Sequence, residues 1–357
     1  MLESAADDDY FDGRESASCH QESPTFNVLL FRTAELPVKR LLRSISPAFV
    51  WNGLREFKTW WEERPYRVLE AYGFNAALKS DCYSPLPVKE DLLRNKDRWY
   101  RPSALKGLKL DLEFMKNLIR ELHGRFGTEY DALPPYEQIG AQGFGVGFTR
   151  VDARTLYYMF RRIQPRRYFE VGAGTSTRYA DFARKQNAAE GTPCAITCVE
   201  PSPFEALYSI ENIRIVKNEV QNVPFAEFET LEEGDILFID SSHASRIDSD
   251  VNYLVLEVLP RLQKGVYVHI HDIPFPYNFP YPPELYIFPK RFPMYWNEPV
   301  LVQAFLAFND TFRVLLSVSY VEHHDSETIA RVFTDRTAEM TYSNVIASLW
   351  LQKVKGT

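Results

Sequence analysis

From Arg101 onward the chain alternates short apolar runs with amphipathic stretches, and this rhythm constrains its fold more than any other feature. Leu112, Met115, Leu118, Ile119 and Leu122 recur at helical spacing, so 110–126 is expected to be a helix. A second helix is expected at 152–163. Strands follow at 168–171, 195–199, 213–216, 236–239 and 266–270, separated by helices at 175–186, 224–231 and 248–262 and a helical turn at 203–208. Strands this short and this apolar, alternating with helices, imply a parallel sheet covered on both faces. A helix at 299–308 and strands at 312–321 and 345–352 complete the chain. The long polar connection 322–343 reads as partly helical, and the last two strands as an antiparallel pair at the sheet edge. The expectation is an α/β, doubly wound, mostly parallel seven-stranded sheet over 99–357. A polar, acidic tail at 1–24, read as disordered, and an aromatic accessory segment at 25–98 precede it. Trp51, Trp60 and Trp61 of that segment suit packing or a homodimer surface.

Composition narrows the function. With 45% hydrophobic and 14% aromatic residues, 357 residues can bury a large core. A formal net charge of -7 argues against a general binder of nucleic acid or anionic membrane, which needs a basic face. Cys19, Cys82, Cys194 and Cys198 form no metal-finger pattern. Few cysteines, no secretory pattern and no long apolar run lead us to expect a cytoplasmic protein.

In a doubly wound sheet, ligands bind beyond the carboxyl ends of the strands near the reversal of strand order. The first strand runs into "RRYFEVGAGTSTRYA". Gly172 and Gly174 permit a tight turn, and a helix start near Thr175 and Ser176 offers free amides. A dinucleotide turn would read GxGxxG; here Thr177 stands at the third glycine position. Glu170 at the head of the turn would repel a pyrophosphate but not a sulfonium cofactor. Glu200, in "TCVEPS" with Pro201, sits where a carboxylate can accept from both hydroxyls of a ribose. Glu219 and Asn222 can face an adenine edge, beside Asn218.

The turn and the spacing of Glu200 resemble class I S-adenosylmethionine-dependent methyltransferases. The stretches "QGFGVGF", "FEVGAGTSTRYA", "GDILFIDSSHASRIDSDVNYLVLEVLPRL", "GVYVHIHDIPFPYNFP" and "YWNEPVLVQAFLAF", over about 101–317, are similar to a little-characterised bacterial methyltransferase family that accompanies polysaccharide or natural-product genes. The resemblance implies S-adenosylmethionine held by Glu170, Gly172, Ala173, Gly174, Thr175, Ser176, Glu200, Pro201, Glu219, Asn222 and Asp240. It also implies a glycine loop, Gly143–Gly147, folded over the cofactor. The same-fold alternatives are an enzyme of other chemistry, hydroxylase-like or cyclising, and a non-catalytic cofactor-binding partner subunit.

Asp240, His243, His271 and Asp272 lie at the ends of the fourth and fifth strands and are expected to converge. A histidine suits removal of a hydroxyl proton. His271, at the strand tip, is the better candidate than His269, which reads as a hydrogen-bonded core residue. Asp240 and Asp272 match the acidic positions of catechol-type O-methyltransferases, so a divalent metal on Asp240, His243 and Asp272 is a second use of the same groups. The sequence departs from that pattern at Ile273, where those enzymes have an amide. Asp248 and Asp250 read as helix caps. Tyr277, Tyr281, Trp296 and Asn297, with Glu298, in a loop too long for a plain connector, are the candidate substrate walls. The expected partner is a small molecule, methylated most readily on a hydroxyl oxygen.

Overall fold

A computed structural model describes residues 48–74, 77, 79, 83–288, 293–334, 341 and 344–356. The tail 1–24, the stretch 25–47 and Cys19 and Cys82 lie outside the described residues. The chain divides into two units at Arg94/Asn95. In the first, α1 (Ala48–Ala71) contains Pro65 and α2 (Lys89–Arg94) follows. Trp60 of α1 is exposed. No described helix is long and apolar enough to cross a membrane.

The second unit holds a seven-stranded sheet in the order β3-β2-β1-β4-β5-β7-β6. Its strands are β1 (Arg167–Val171), β2 (Ala195–Val199), β3 (Ile213–Val216), β4 (Ile236–Ile239), β5 (Tyr267–Ile270), β6 (Phe312–Ser317) and β7 (Leu349–Lys353). β1 to β5 pair in parallel, and β7 runs antiparallel to both β5 and β6. All four residues of β4 are fully buried, which is why the run is apolar without alternation. Order reverses between β1 and β4, so a crevice opens beyond their carboxyl ends.

The second unit's helices of seven or more residues are α3 (Leu112–Asp131), α4 (Arg150–Ile163), α5 (Thr175–Ala189), α6 (residues 250–261), α7 (Glu298–Leu306), α8 (Val318–His324) and α9 (Ser326–Val332). Thr149 caps α4 by accepting from the Asp152 amide, and Gln164 ends it in the left-handed conformation. This helix packs on α3 and α5, burying Leu156, Tyr157, Tyr158, Met159 and Phe160. The expected helix 248–262 starts at Asp250 and is π-wound over Tyr253–Val258. Ser249, rather than Asp248 or Asp250, is its cap, accepting from the Asn252 amide at 3.2 Å.

Two expected strand bounds are corrected. The run 312–321 is a strand only to Ser317; the Ser317 hydroxyl accepts from the Tyr320 amide and starts α8. Apolar residues at 318 and 321 fit a helix face as well as a strand, and the cap decides. The run 345–352 becomes β7 only at Leu349, and β6 and β7 form the expected antiparallel pair at the sheet edge, with β6 outermost. Trp350 of β7 stacks on His269, with centroids 4.2 Å apart, so His269 is a core residue bonded to the Ser348 hydroxyl at 2.9 Å. Burial lowers its pKa to about 3.

Gly172 joins β1 to α5 with φ +80, and a Cβ there would overlap the Asp240 carbonyl oxygen. Gly172→Ala should therefore cost at least about 2 kcal/mol of stability, through backbone strain and displacement of Asp240. Thermal and urea unfolding read that cost.

Candidate functional site

A groove of about 400 Å³ opens at the β1/β4 reversal, within the ~300–1,000 Å³ of small-molecule sites. Five predicted cofactor residues line it: Gly172, Glu200, Pro201, Glu219 and Asp240. Glu200 organises the turn beneath, since one oxygen accepts from the Ala173 amide (3.3 Å) and the other from the Ser202 amide (2.8 Å). Gln221 reaches across to the Asp248 carbonyl (3.0 Å), tying the β3 loop to the β4 loop. The Asp250 carboxylate accepts from the amide and hydroxyl of Ser242, both at 2.6 Å. Gln221, Ser242, Arg246 and Asp250 line the groove without having been expected there. Polar loop residues carry no pattern that separates lining from solvation.

Other expected cofactor residues are placed differently. Glu170 is fully buried under the turn, not in the groove lining. Ser176 and Thr177 donate their hydroxyls to its two oxygens at 2.6 Å, and Cys198 Sγ lies 3.4 Å away. Burial pushes its carboxyl up to about 7, against the pull of those hydrogen bonds. Ala173, Gly174 and Thr175 form the turn, with the Gly174 amide donating to Thr177 (3.0 Å). The Thr175 hydroxyl donates to the Gly145 carbonyl (3.0 Å), so the glycine loop 143–147 does lie on the start of α5. Asn222 turns to Asn218 (3.3 Å).

Asp240, His243, His271 and Asp272 come together at the ends of β4 and β5. His243 Nε2 lies 3.3 Å from Asp240 Oδ1 and 3.3 Å from Asp272 Oδ2. His271 Nδ1 lies 3.2 Å from Asp240 Oδ1, and its Nε2 lies 3.2 Å from Asp152 Oδ2. Asp152 was read only as the start of a helix. It is fully buried and also accepts from the Ser348 hydroxyl (2.7 Å). Its role was hidden because an acidic residue in a first helical turn looks like a cap. His243 and Asp272 both hold left-handed backbone, φ +59 and +57, as strained positions at sites often do.

The charges are strongly coupled. Burial opposes protonation of His243, but hydrogen bonds to Asp240 and Glu298 and the charge of Asp272 raise it to about 10. Burial opposes protonation of His271 as well; Asp272, Asp240 and Asp152 outweigh it and hold the imidazole well above its usual range. Burial also resists ionisation of Asp240, yet the two imidazoles keep it far below the usual carboxylate range. Asp272 moves upward, chiefly through burial. This corrects the expectation for His271: both nitrogens are engaged with carboxylates and 1% of the side chain is exposed, so it bridges the cluster and offers no free lone pair.

The expected substrate walls separate. The Trp296 ring lies 4.7 Å from that of His243 and does wall the cluster. Asn297 is committed to Ser245, accepting from its amide (2.6 Å) and donating to its carbonyl (3.2 Å). Tyr277 and Tyr281 stack on each other at 3.8 Å and line a different cavity, with Pro274, Ser319 and His323.

Residues 169–273 match the family model of a methyltransferase domain. The match runs from β1 to just past the end of β5. No curated protein matches the chain. Among solved structures, apo CmcI-N160 is 16% identical over 58% of this chain and 73% of its own, with a TM-score of 0.33. The O-methyltransferase TomG from Streptomyces achromogenes, involved in tomaymycin synthesis and solved with SAM, is 15% identical over 70% of this chain and 92% of its own, with a TM-score of 0.36. SAH-bound PaMTH1 from Podospora anserina is 14% identical over 76% and 99%, with a TM-score of 0.33.

Glu170 yields a pH prediction. Its pKa rises from 4.5 to about 7 on folding, so the folded state holds the proton more tightly. Its stabilising proton is fully present below the unfolded value and is lost as pH rises through about 7, a change of about 3 kcal/mol. Glu170→Gln should gain on wild type by up to that amount between pH 5 and 8 in urea unfolding. Parallel pH profiles would remove Glu170 as the titrating group.

Proposed function

We propose that this chain transfers a methyl group from S-adenosylmethionine to a hydroxyl oxygen of a small molecule, assisted by a divalent cation. The observation that carries the reading is the convergence, at one strand-order reversal, of the Glu200 groove and the Asp240–His243–Asp272 cluster. The methyltransferase-domain match at 169–273 supports it independently.

The donor set fits a cation. Ligand atoms of Asp240, His243 and Asp272 lie within 4.8 Å of one another. Around them, Asp152, Asp240, Asp272 and Glu298 set four carboxylates against two imidazoles, so even with both imidazoles protonated and all four carboxylates ionised two negative charges remain. A bound cation would lower the pKa of an acceptor hydroxyl and orient it.

The chain's own residues supply the rest. Glu200 accepts from the ribose hydroxyls, and Gly172 lets the ligand approach the backbone. Glu219 faces the base, and Glu170 holds the turn from below. Trp296 excludes water beside His243. In the transfer, the carbon–sulfur bond of the sulfonium breaks as the carbon–oxygen bond forms. With the cofactor bound, the sulfur would keep the electron pair, and the acceptor's proton would leave to solvent beside Asp240, which lines the groove. The last steps of natural-product or polysaccharide assembly suit such an acceptor.

Calorimetry should detect binding of S-adenosylmethionine and none of NAD; binding of NAD alone would sink the reading. Glu200→Ala should weaken cofactor binding about 10- to 100-fold, the loss of a charged hydrogen-bonding partner. Chelation should suppress methyl transfer to a hydroxylated acceptor found by mass detection in a metabolite library, and full activity in chelator would dismiss the cation.

A further inference from the structure

Glu298 is completely buried at the start of α7. Its Oε2 accepts from the Ser241 hydroxyl (2.8 Å) and lies 2.8 Å from His243 Nδ1. Its Oε1 has no hydrogen-bond partner among the described residues. The main chain of the same turn grips the same histidine: the amides of Asn297 and Glu298 donate to the His243 carbonyl, at 3.0 and 3.1 Å. Residues 296–298 therefore hold His243 by ring face, ring nitrogen and backbone.

Oε2 is already the acceptor for the Ser241 hydroxyl, and in its contact with the imidazole it accepts from Nδ1–H. That leaves Nε2 facing the gap between Asp240 and Asp272. An isolated buried carboxylate is costly, and one oxygen without a partner makes it costlier. Asn297, not Glu298, occupies the N-cap position of α7.

We propose that Glu298 is a positioning residue that fixes His243 with Nε2 aimed between Asp240 and Asp272, so that the site prefers Mn²⁺ to Mg²⁺. The inference rests on the reading of those three residues as a cation site. Imidazole nitrogen suits the transition metals, whereas Mg²⁺ favours an all-oxygen shell and parts reluctantly with its water. A carboxylate behind a ligating histidine fixes its ring and raises its basicity, and its loss typically lowers metal affinity 10–100-fold.

The test is calorimetric titration of chelator-stripped full-length protein with MnCl₂ and with MgCl₂, in wild type, Glu298→Gln, His243→Gln and Asp272→Asn, with circular dichroism as the folding check. Wild type should bind Mn²⁺ more tightly than Mg²⁺. Glu298→Gln should weaken Mn²⁺ about 10- to 100-fold and Mg²⁺ far less. His243→Gln should erase the preference and retain Mg²⁺ binding. It carries the test alone if Glu298→Gln fails to fold. Electron spin echo spectra of bound Mn²⁺ should show imidazole nitrogen coupling in wild type. Equal losses for both ions in Glu298→Gln, a preference that survives His243→Gln, or no nitrogen coupling would each overturn the inference. Unchanged binding of both ions in Asp272→Asn would instead overturn the cation site itself.

Discussion

A chain of buried ion pairs runs from Asp152 through His271, Asp240 and His243 to Glu298, with each link between 2.8 and 3.3 Å. It joins the first turn of α4, the ends of β4 and β5 and the start of α7. No member could be buried alone, because an unpaired charge in that interior costs several kcal/mol. Each element therefore depends on the others for its position, and the cluster fixes the carboxyl edge of the sheet. Such networks stabilise poorly for their number of contacts compared with apolar packing. What this one brings together is two carboxylates and one imidazole nitrogen, with Asp240 reaching the groove.

The groove has the opposite construction on its β1 side. There the carboxylate of Glu170 is sealed below the turn, satisfied by Ser176 and Thr177, while the half-buried Glu200 lines the groove above it and accepts from the Ala173 and Ser202 amides. Both carboxylates shape the loop, and only that of Glu200 reaches the groove. Gly172 makes the division workable, since any side chain there would collide with the end of β4. The β1 side of the groove is thus set by local turn chemistry, and the β4–β5 side by long-range charge pairing.

That difference explains which parts were legible in the sequence. The strand–helix alternation and the turn at Gly172–Thr175 are local signals, and the five parallel strands fell where their apolar runs stood. Asp240, His243 and Asp272 were legible because topology alone brings strand tips together. Asp152 and Glu298 were not recognised as parts of the cluster. Each lies far from its histidine in the chain, and each resembles an ordinary first-turn acid. Glu170 was legible as a residue but not as a buried one, since strand position does not say whether a side chain points to the groove or beneath it. Tyr277 and Tyr281 misled for a related reason: aromatic loop residues pack with whatever neighbours the fold supplies, here a separate cavity with Ser319 and His323.

The same logic bears on which imidazole can take part in chemistry. His271 and His243 are both raised by carboxylates, and by charge alone they look alike. Geometry separates them. His271 spends one nitrogen on Asp152 and the other on Asp240, so displacing it would leave Asp152 as an uncompensated charge in the core. His243 spends one nitrogen on Glu298, and its other lies 3.3 Å from both Asp240 and Asp272, of which Asp240 lines the groove. A cation or acceptor arriving there can replace the interactions of Nε2 without exposing a buried charge. His271 is then the strut on which Asp240 rests, and His243 is the nitrogen the site presents.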